Sequence, residues 1–96
     1  MIDFIPHEKG VALKDVSNFL RVAGGAPLNV AAAVAKLGGR SQMIIKLGVD
    51  GFGDYILEEV KPLGVDISKV LRTKEANTAL AFVSLKDDGE RDFSYF

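Results

Sequence analysis

A double glycine running at once into a proline, Gly24-Gly25-Ala26-Pro27, divides the chain and limits what can follow it. Two adjacent glycines let the backbone turn where other residues resist. Pro27 breaks the interior of a helix but suits its first turn, where the missing N–H costs nothing. The next segment, Leu28 to Leu37, is rich in alanine and reads as helix. Gly38-Gly39 then supplies the left-handed residue that commonly ends one. This helix is apolar on nearly all sides, so it is expected to be buried or pressed against a sheet.

The pattern continues in the same alternation. Ser41 to Gly48 reads as a buried-type strand ending in glycine, and Val49 to Gly53 as a loop. Asp54 to Leu63 reads as a second helix, with Ile56, Leu57, Val60 and Leu63 at helical spacing and Glu58, Glu59 and Lys61 facing outward. Pro62 lies in its last turn, and Val65 to Thr73 should include a short strand. Upstream, Ile2 to Pro6 reads as the end of a strand, and Asn18 to Ala23 as a short strand after a loop. Downstream, 78–85 and 90–96 form two β-rich runs that predict a hairpin turning at Asp88-Gly89. Period-two alternation puts Thr78, Leu80, Phe82 and Ser84 on one face and Ala79, Ala81 and Val83 on the other. Strand–helix–strand–helix order predicts an α/β fold with a parallel sheet covered on both faces. The few strands here do not complete such a sheet, so more are expected beyond both ends.

Composition narrows the chemistry. The 96 residues are 48% hydrophobic and 26% charged with formal net charge -1, as in an ordinary globular protein. Lysines and arginines are scattered, so no basic stripe is available for nucleic acid. No cysteine is present, which removes disulfides, thiolate catalysis and Cys-ligated zinc. His7 is the single histidine and reads as an exposed loop residue, so a Ser-His-Asp triad or a His-based metal site lacks support. The longest apolar run, Val30 to Ala35, falls far short of the about 18–20 residues a membrane span needs. No secretory signal is visible at the start, and a reducing cytoplasm is the expected location.

Three places, Gly24 to Asn29, Asp3 and Gly48 to Asp54, are weighed for binding. At Gly24-Gly25 the backbone can approach a ligand, and the following helix start has orphan N–H groups for anions or hydroxyl oxygens. Asn29 in the first turn both donates and accepts, which suits a polyol hydroxyl. A plain tight turn into a buried helix explains the same residues, and both readings stand. Asp3, at the end of a strand, is placed either to clamp two hydroxyls or simply to meet solvent. Gly48 to Asp54 lacks the alternating oxygen ligands of a calcium loop, so Asp50 should shape the turn and Asp54 should cap the second helix. A dinucleotide fingerprint is a poor fit, because the glycines are adjacent and no third follows at the required place.

Gly24-Gly25-Ala26-Pro27-Leu28-Asn29-Val30-Ala31, then Leu37-Gly38-Gly39, then Lys46 to Gly53, closely resembles the N-terminal pattern of ribokinase-like sugar kinases. Ile2-Asp3-Phe4 and Thr78 to Val83 look most like fructokinases. The resemblance covers essentially the whole chain in collinear order. It implies the N-terminal part of a ribokinase-like doubly wound α/β sheet with a small β-sheet lid. The lid segments would be 11–23 and 76–96, and the α/β core portion 24–75. Sugar contacts carry over to Asp3, Gly25 and Asn29, with Gly24 shaping the loop and Phe82 or Tyr95 adding an aromatic wall.

The implied activity is ATP-dependent phosphorylation of a sugar hydroxyl with Mg2+. The family's Gly-Ala-Gly-Asp segment, with its base and anion hole, and most ATP and metal contacts lie beyond residue 96. No catalytic residue is therefore assigned within this chain, and the 96 residues alone are expected to be inactive. Lid pairing into a homodimer is a further expectation. The alternative is a non-catalytic sugar-binding or dimerising module, and the reading frame downstream of Phe96 separates the two. A dinucleotide-binding oxidoreductase would need an upstream glycine-rich turn that is not seen.

Overall fold

The computed structural model describes residues 1–86, 88 and 90–96. In chain order the elements are β1 (Ile2–Pro6), β2 (Phe19–Ala23), α1 (Ala26–Lys36), β3 (Lys46–Gly48), α2 (Gly51–Val60), β4 (Leu71–Thr73), β5 (Leu80–Leu85) and β6 (Arg91–Tyr95). Single 3-10 turns occupy Leu13–Asp15 and Lys61–Leu63. The chain forms two compact units, 1–22 with 79–96, and 23–78.

The first unit is a four-stranded sheet in the order β2-β1-β5-β6. β1 runs parallel to β5, with Ile2 beside Leu80, Asp3 beside Ala81 and Phe4 beside Phe82. β5 and β6 are antiparallel, from Ala81–Tyr95 through Leu85–Arg91. Reciprocal bonds between Phe96 and Leu80, both 2.8 Å, and a 2.9 Å bond from Lys86 N–H to the Glu90 carbonyl extend that ladder at both ends. The hairpin follows from the sequence; its expected Gly89 lies outside the described residues. The alternation also holds, since Ala81 and Val83 are buried on one face of β5. On the other face, Phe82 stacks on Phe4 at 4.7 Å and meets Phe19 and Phe96 edge to face at 5.5 and 5.6 Å. Such offset and T-shaped ring pairs are the arrangements favoured by the aromatic quadrupole.

The second unit pairs β3 and β4 in parallel, Lys46 with Leu71 through Gly48 with Thr73, with α2 as the crossover. Parallel neighbours require such a long connection. The expected strand over Ser41 to Gly48 is shorter than the sequence indicates: it holds one bridge at Gln42–Asp66 and then β3. Its partner turns away between the two contacts, because Val70 N–H donates to the Ile67 carbonyl and Ser68 N–H to Asp66 Oδ1. Met43 and Leu47 are buried, but Ile44 is 78% exposed.

α1 starts at Ala26, two residues before the expected boundary, and Gly38 closes it with φ +84°. Only Leu28 and Ala31 are buried along it, whereas Val30 is 64% and Leu37 89% exposed. Of the helix expected to be buried or pressed against a sheet, one stripe is covered within these residues and the other apolar side is not. α2 starts at Gly51 with Ile56 and Val60 fully inside. Pro62 cannot donate an N–H to continue the helix, so the last turn tightens to 3-10 and ends at Gly64 with φ +82°.

Candidate functional site

Asp3 sits in mid β1, half-buried, with Oδ1 buried and without a hydrogen-bond partner among the described residues. Most buried polar atoms are paired, so an orphaned carboxylate oxygen calls for an explanation. Strand register puts Asp3, Ala81 and Tyr95 in one row on one face, with the small Ala81 between them. Tyr95 is 65% exposed and its ring stacks on Phe93 at 5.9 Å. Phe82 points to the opposite face, into the ring cluster with Phe4, Phe19 and Phe96. An open apolar hollow of about 240 Å³ lies there, lined by Leu13, Phe19, Phe82 and Phe96. The two candidate aromatic residues thus occupy different faces of one sheet.

Gly24, Gly25 and Asn29 belong to the second unit, at the start of α1. Gly25 is the cap residue with φ +99°, a conformation that a Cβ would strain. It offers no side chain to the first turn, and Pro27 has no N–H, so the helix start carries no side-chain cap. Asn29 N–H closes the first helical bond on the Gly25 carbonyl at 3.0 Å, and its side chain is exposed.

The most completely bonded polar group surrounds Asp50. Its Oδ1 accepts from Gly53 N–H at 2.7 Å and from Thr78 Oγ1 at 2.8 Å, and its Oδ2 accepts from Thr78 N–H at 2.8 Å. Asp50, not Asp54, is therefore the cap of α2, because it lies three residues before the N–H it bonds. The backbone bonds from Thr78 and then Gly53 hold the Asp50 carboxyl below its ordinary value of 3.8. Arg72 donates to the Gly48 carbonyl at 2.9 Å and to Asp54 Oδ1 at 2.9 Å. Glycine is required at 53, since a Cβ there would stand 2.5 Å from the Gly48 carbonyl oxygen and 2.9 Å from the Arg72 guanidinium. Sequence reasoning missed Thr78 and Arg72 in this cluster, and nothing local signals either.

Among the described residues no group of His, Cys, Asp and Glu side chains is arranged to hold a metal ion, and no helix is long and apolar enough to cross a membrane.

A family model described as pfkB family carbohydrate kinase matches residues 1–96. This chain belongs to that family. It is 48% identical over its whole length to probable fructokinase-5 of Arabidopsis thaliana, of which it covers 30%. Among solved structures, the fructokinase of Xylella fastidiosa matches all of the chain at 44% identity and TM-score 0.85, over 29% of its own length. An uncharacterized sugar kinase of Pyrococcus horikoshii, solved in complex with ATP, matches at 40% identity and TM-score 0.92, over 31% of its length. The chain spans about 30% of the curated relatives it matches, in their N-terminal part. The expected fold class, the N-terminal part of a ribokinase-like α/β fold, is thereby established.

Proposed function

We propose that the protein carrying these residues transfers the γ-phosphoryl group of ATP to a hydroxyl of a hexose, with fructose the first candidate. The observation that carries this reading is the collinear match of all 96 residues to fructokinases at 44–48% identity. Phosphoryl transfer rests on positioning and charge stabilisation, with magnesium neutralising the phosphates and a base aligned on the hydroxyl. ATP and Mg2+ are proposed to be bound mostly by residues beyond 96.

On this reading the chain's own contribution is to the sugar. Asp3 accepts sugar hydroxyls, and its orphaned buried oxygen supports that role. Gly25 leaves the first turn of α1 uncapped, Asn29 offers an exposed amide, and Gly24 shapes the loop. Tyr95, exposed and in row with Asp3, is favoured over Phe82 as the aromatic wall, because Phe82 is engaged with three other rings. The lid is assigned to 11–23 and 76–96, and the α/β core portion to 24–75. Exposed Leu20, Phe93 and Phe96 make a lid-mediated homodimer the proposed assembly. The cytoplasm is the proposed location.

The test is a coupled ADP-release assay on the full-length protein with ATP, Mg2+ and a panel of hexoses. Turnover that depends on fructose supports the reading. No ADP release with any sugar, from a folded protein that binds ATP, overturns it.

A further inference from the structure

Thr78 is the last residue of the second unit, and Ala79, its covalent neighbour, opens the return to the first. Thr78 is 4% exposed although it is polar. Its backbone N–H donates to Asp50 Oδ2, its hydroxyl donates to Asp50 Oδ1, and the same hydroxyl oxygen accepts from Gly48 N–H at 3.1 Å. One residue thus ties the end of β3, the cap of α2 and the return segment together. The space is close: a Cβ on Gly48 would stand 2.6 Å from Thr78 N and 2.9 Å from the Ala76 carbonyl oxygen. On the other side of a single peptide bond, the Ala79 carbonyl accepts from Ile2 N–H at 3.0 Å, one residue from Asp3.

We propose that the Asp50–Thr78 pair is a pin that fixes where the chain leaves the second unit, and that both are positioning residues for sugar binding. The second half of this proposal rests on the kinase reading above. Neither residue touches the sugar in this scheme. Three bonds from within the chain already engage the Asp50 carboxylate, and the Thr78 hydroxyl both donates and accepts within the cluster. The pin instead limits the arrangements open to the root of β5, the strand that carries β1 and Asp3 by parallel pairing. Binding to a protein that holds its competent arrangement only part of the time is weakened by that fraction. Releasing the pin therefore acts on apparent sugar affinity. It leaves untouched the rate of the chemical step once sugar is bound.

The other passage between the units is built differently. It runs from Val22 to Ala23 and straight into Gly24-Gly25, where Gly25 takes a positive φ and no side chain bonds the helix start. One passage is held by the Asp50–Thr78 pair, and the other is left to glycine.

The experiment compares Thr78→Val, which keeps shape and removes the hydroxyl, with Thr78→Ser, which keeps the hydroxyl, in the full-length protein. Amide hydrogen exchange at Gly48 and at 78–80 reads the pin directly, without reference to activity. Loss of the hydroxyl's two hydrogen bonds, to Asp50 Oδ1 and from Gly48 N–H, predicts at least about fivefold faster exchange there in Thr78→Val, with near wild-type exchange in Thr78→Ser. On fructose kinetics, the proposal predicts a rise in sugar KM of similar size, kcat within about twofold of wild type, ATP KM unchanged, and recovery in Thr78→Ser. Unchanged exchange at these amides overturns the pin. Faster exchange with sugar KM unchanged, or with kcat and ATP KM damaged to the same extent, overturns the positioning role and leaves a structural one. If the wild-type protein phosphorylates no sugar, the kinase reading fails by itself, and the exchange measurement still decides the pin. Should Thr78→Val fail to fold, Asp50→Asn carries the same comparison, because it retains an acceptor for Gly53 while weakening the pair with Thr78.

Discussion

In the first unit Asp3 holds an oxygen buried with no donor among the described residues, whereas in the second unit Asp50 has three donors on its two oxygens. The first unit is otherwise held by rings, with Phe82 touching Phe4, Phe19 and Phe96. The second is held by polar bonds converging on two glycines that tolerate no side chain. Leaving a buried acceptor unpaired costs about 1–3 kcal/mol. The first unit bears that cost where the second does not. Asp50's bonds belong to the architecture, whereas under the proposed function the open oxygen of Asp3 is where a sugar hydroxyl would bind. The same residue type thus has two different hydrogen-bond environments in the two units.

The sharpest way to break this contrast is Asp3→Ala in the full-length protein. Losing a charge-assisted bond to a sugar hydroxyl costs about 1.5–3 kcal/mol, or roughly tenfold to a hundredfold in sugar affinity. Sugar KM should rise by that factor while ATP KM stays near normal. Unchanged sugar kinetics would remove Asp3 from the site and leave its orphaned oxygen unexplained.

Gly53→Ala tests the second unit. A methyl group there would press on the Gly48 carbonyl, the Arg72 guanidinium and Thr78 Oγ1. Overpacking of this kind costs about 1–3 kcal/mol, read as a lower midpoint in denaturant. A midpoint equal to wild type would show that the Asp50 cluster relaxes easily and is not the tight assembly described.

Asp50→Ala should cost about 1 kcal/mol as a lost helix cap. Its pH dependence has a definite sign. The folded carboxyl is held below its ordinary value of 3.8 by its hydrogen bonds. Its contribution is therefore fully present above that ordinary value and is lost as pH falls through the lower, folded value. Wild-type stability should drop in that acid window, and the variant should drop less. Parallel acid titrations of the two proteins would show that Asp50 carries none of the slope.

Phe82→Leu keeps an apolar side chain at this position and removes the ring geometry. Aromatic pairs contribute about 0.5–1.5 kcal/mol beyond the area they bury, so thermal stability should fall modestly with sugar KM unchanged. A large rise in sugar KM would move Phe82 from the packing face into the site and reverse its assignment relative to Tyr95.

Much of the fold was legible because strands and helices here follow local pattern. The hairpin, β1 and the buried positions of α2 are all visible in periodicity and turn residues. What escaped was decided at a distance. α2 begins at Gly51 because Asp50 reaches Gly53 N–H, although Gly51 and Gly53 read as loop by propensity. The strand after α1 is broken because its partner turns at Asp66 to Val70, a feature written in another part of the chain. Asp3 and Tyr95 were singled out separately, but only strand register places them in one row. Thr78 read only as a strand residue, because its polar role depends on Gly48 and Asp50, 30 and 28 positions away. The exposed side of α1 shows the converse limit, since an apolar stretch states a need for cover without naming what supplies it.

The pairing of β1 with β5 has a consequence for biosynthesis. Its two strands lie roughly eighty residues apart in the chain, so at about 5–20 residues per second the ribosome needs roughly 4–16 s to supply the second after the first. During that interval β1 has β2 on one side and a bare edge on the other. That edge displays unpaired backbone groups flanked by Ile2 and Phe4, the kind of template that invites pairing with a foreign strand. The nascent chain is most exposed to misassociation in these seconds, and slow stretches of translation between α1 and β5 would lengthen them.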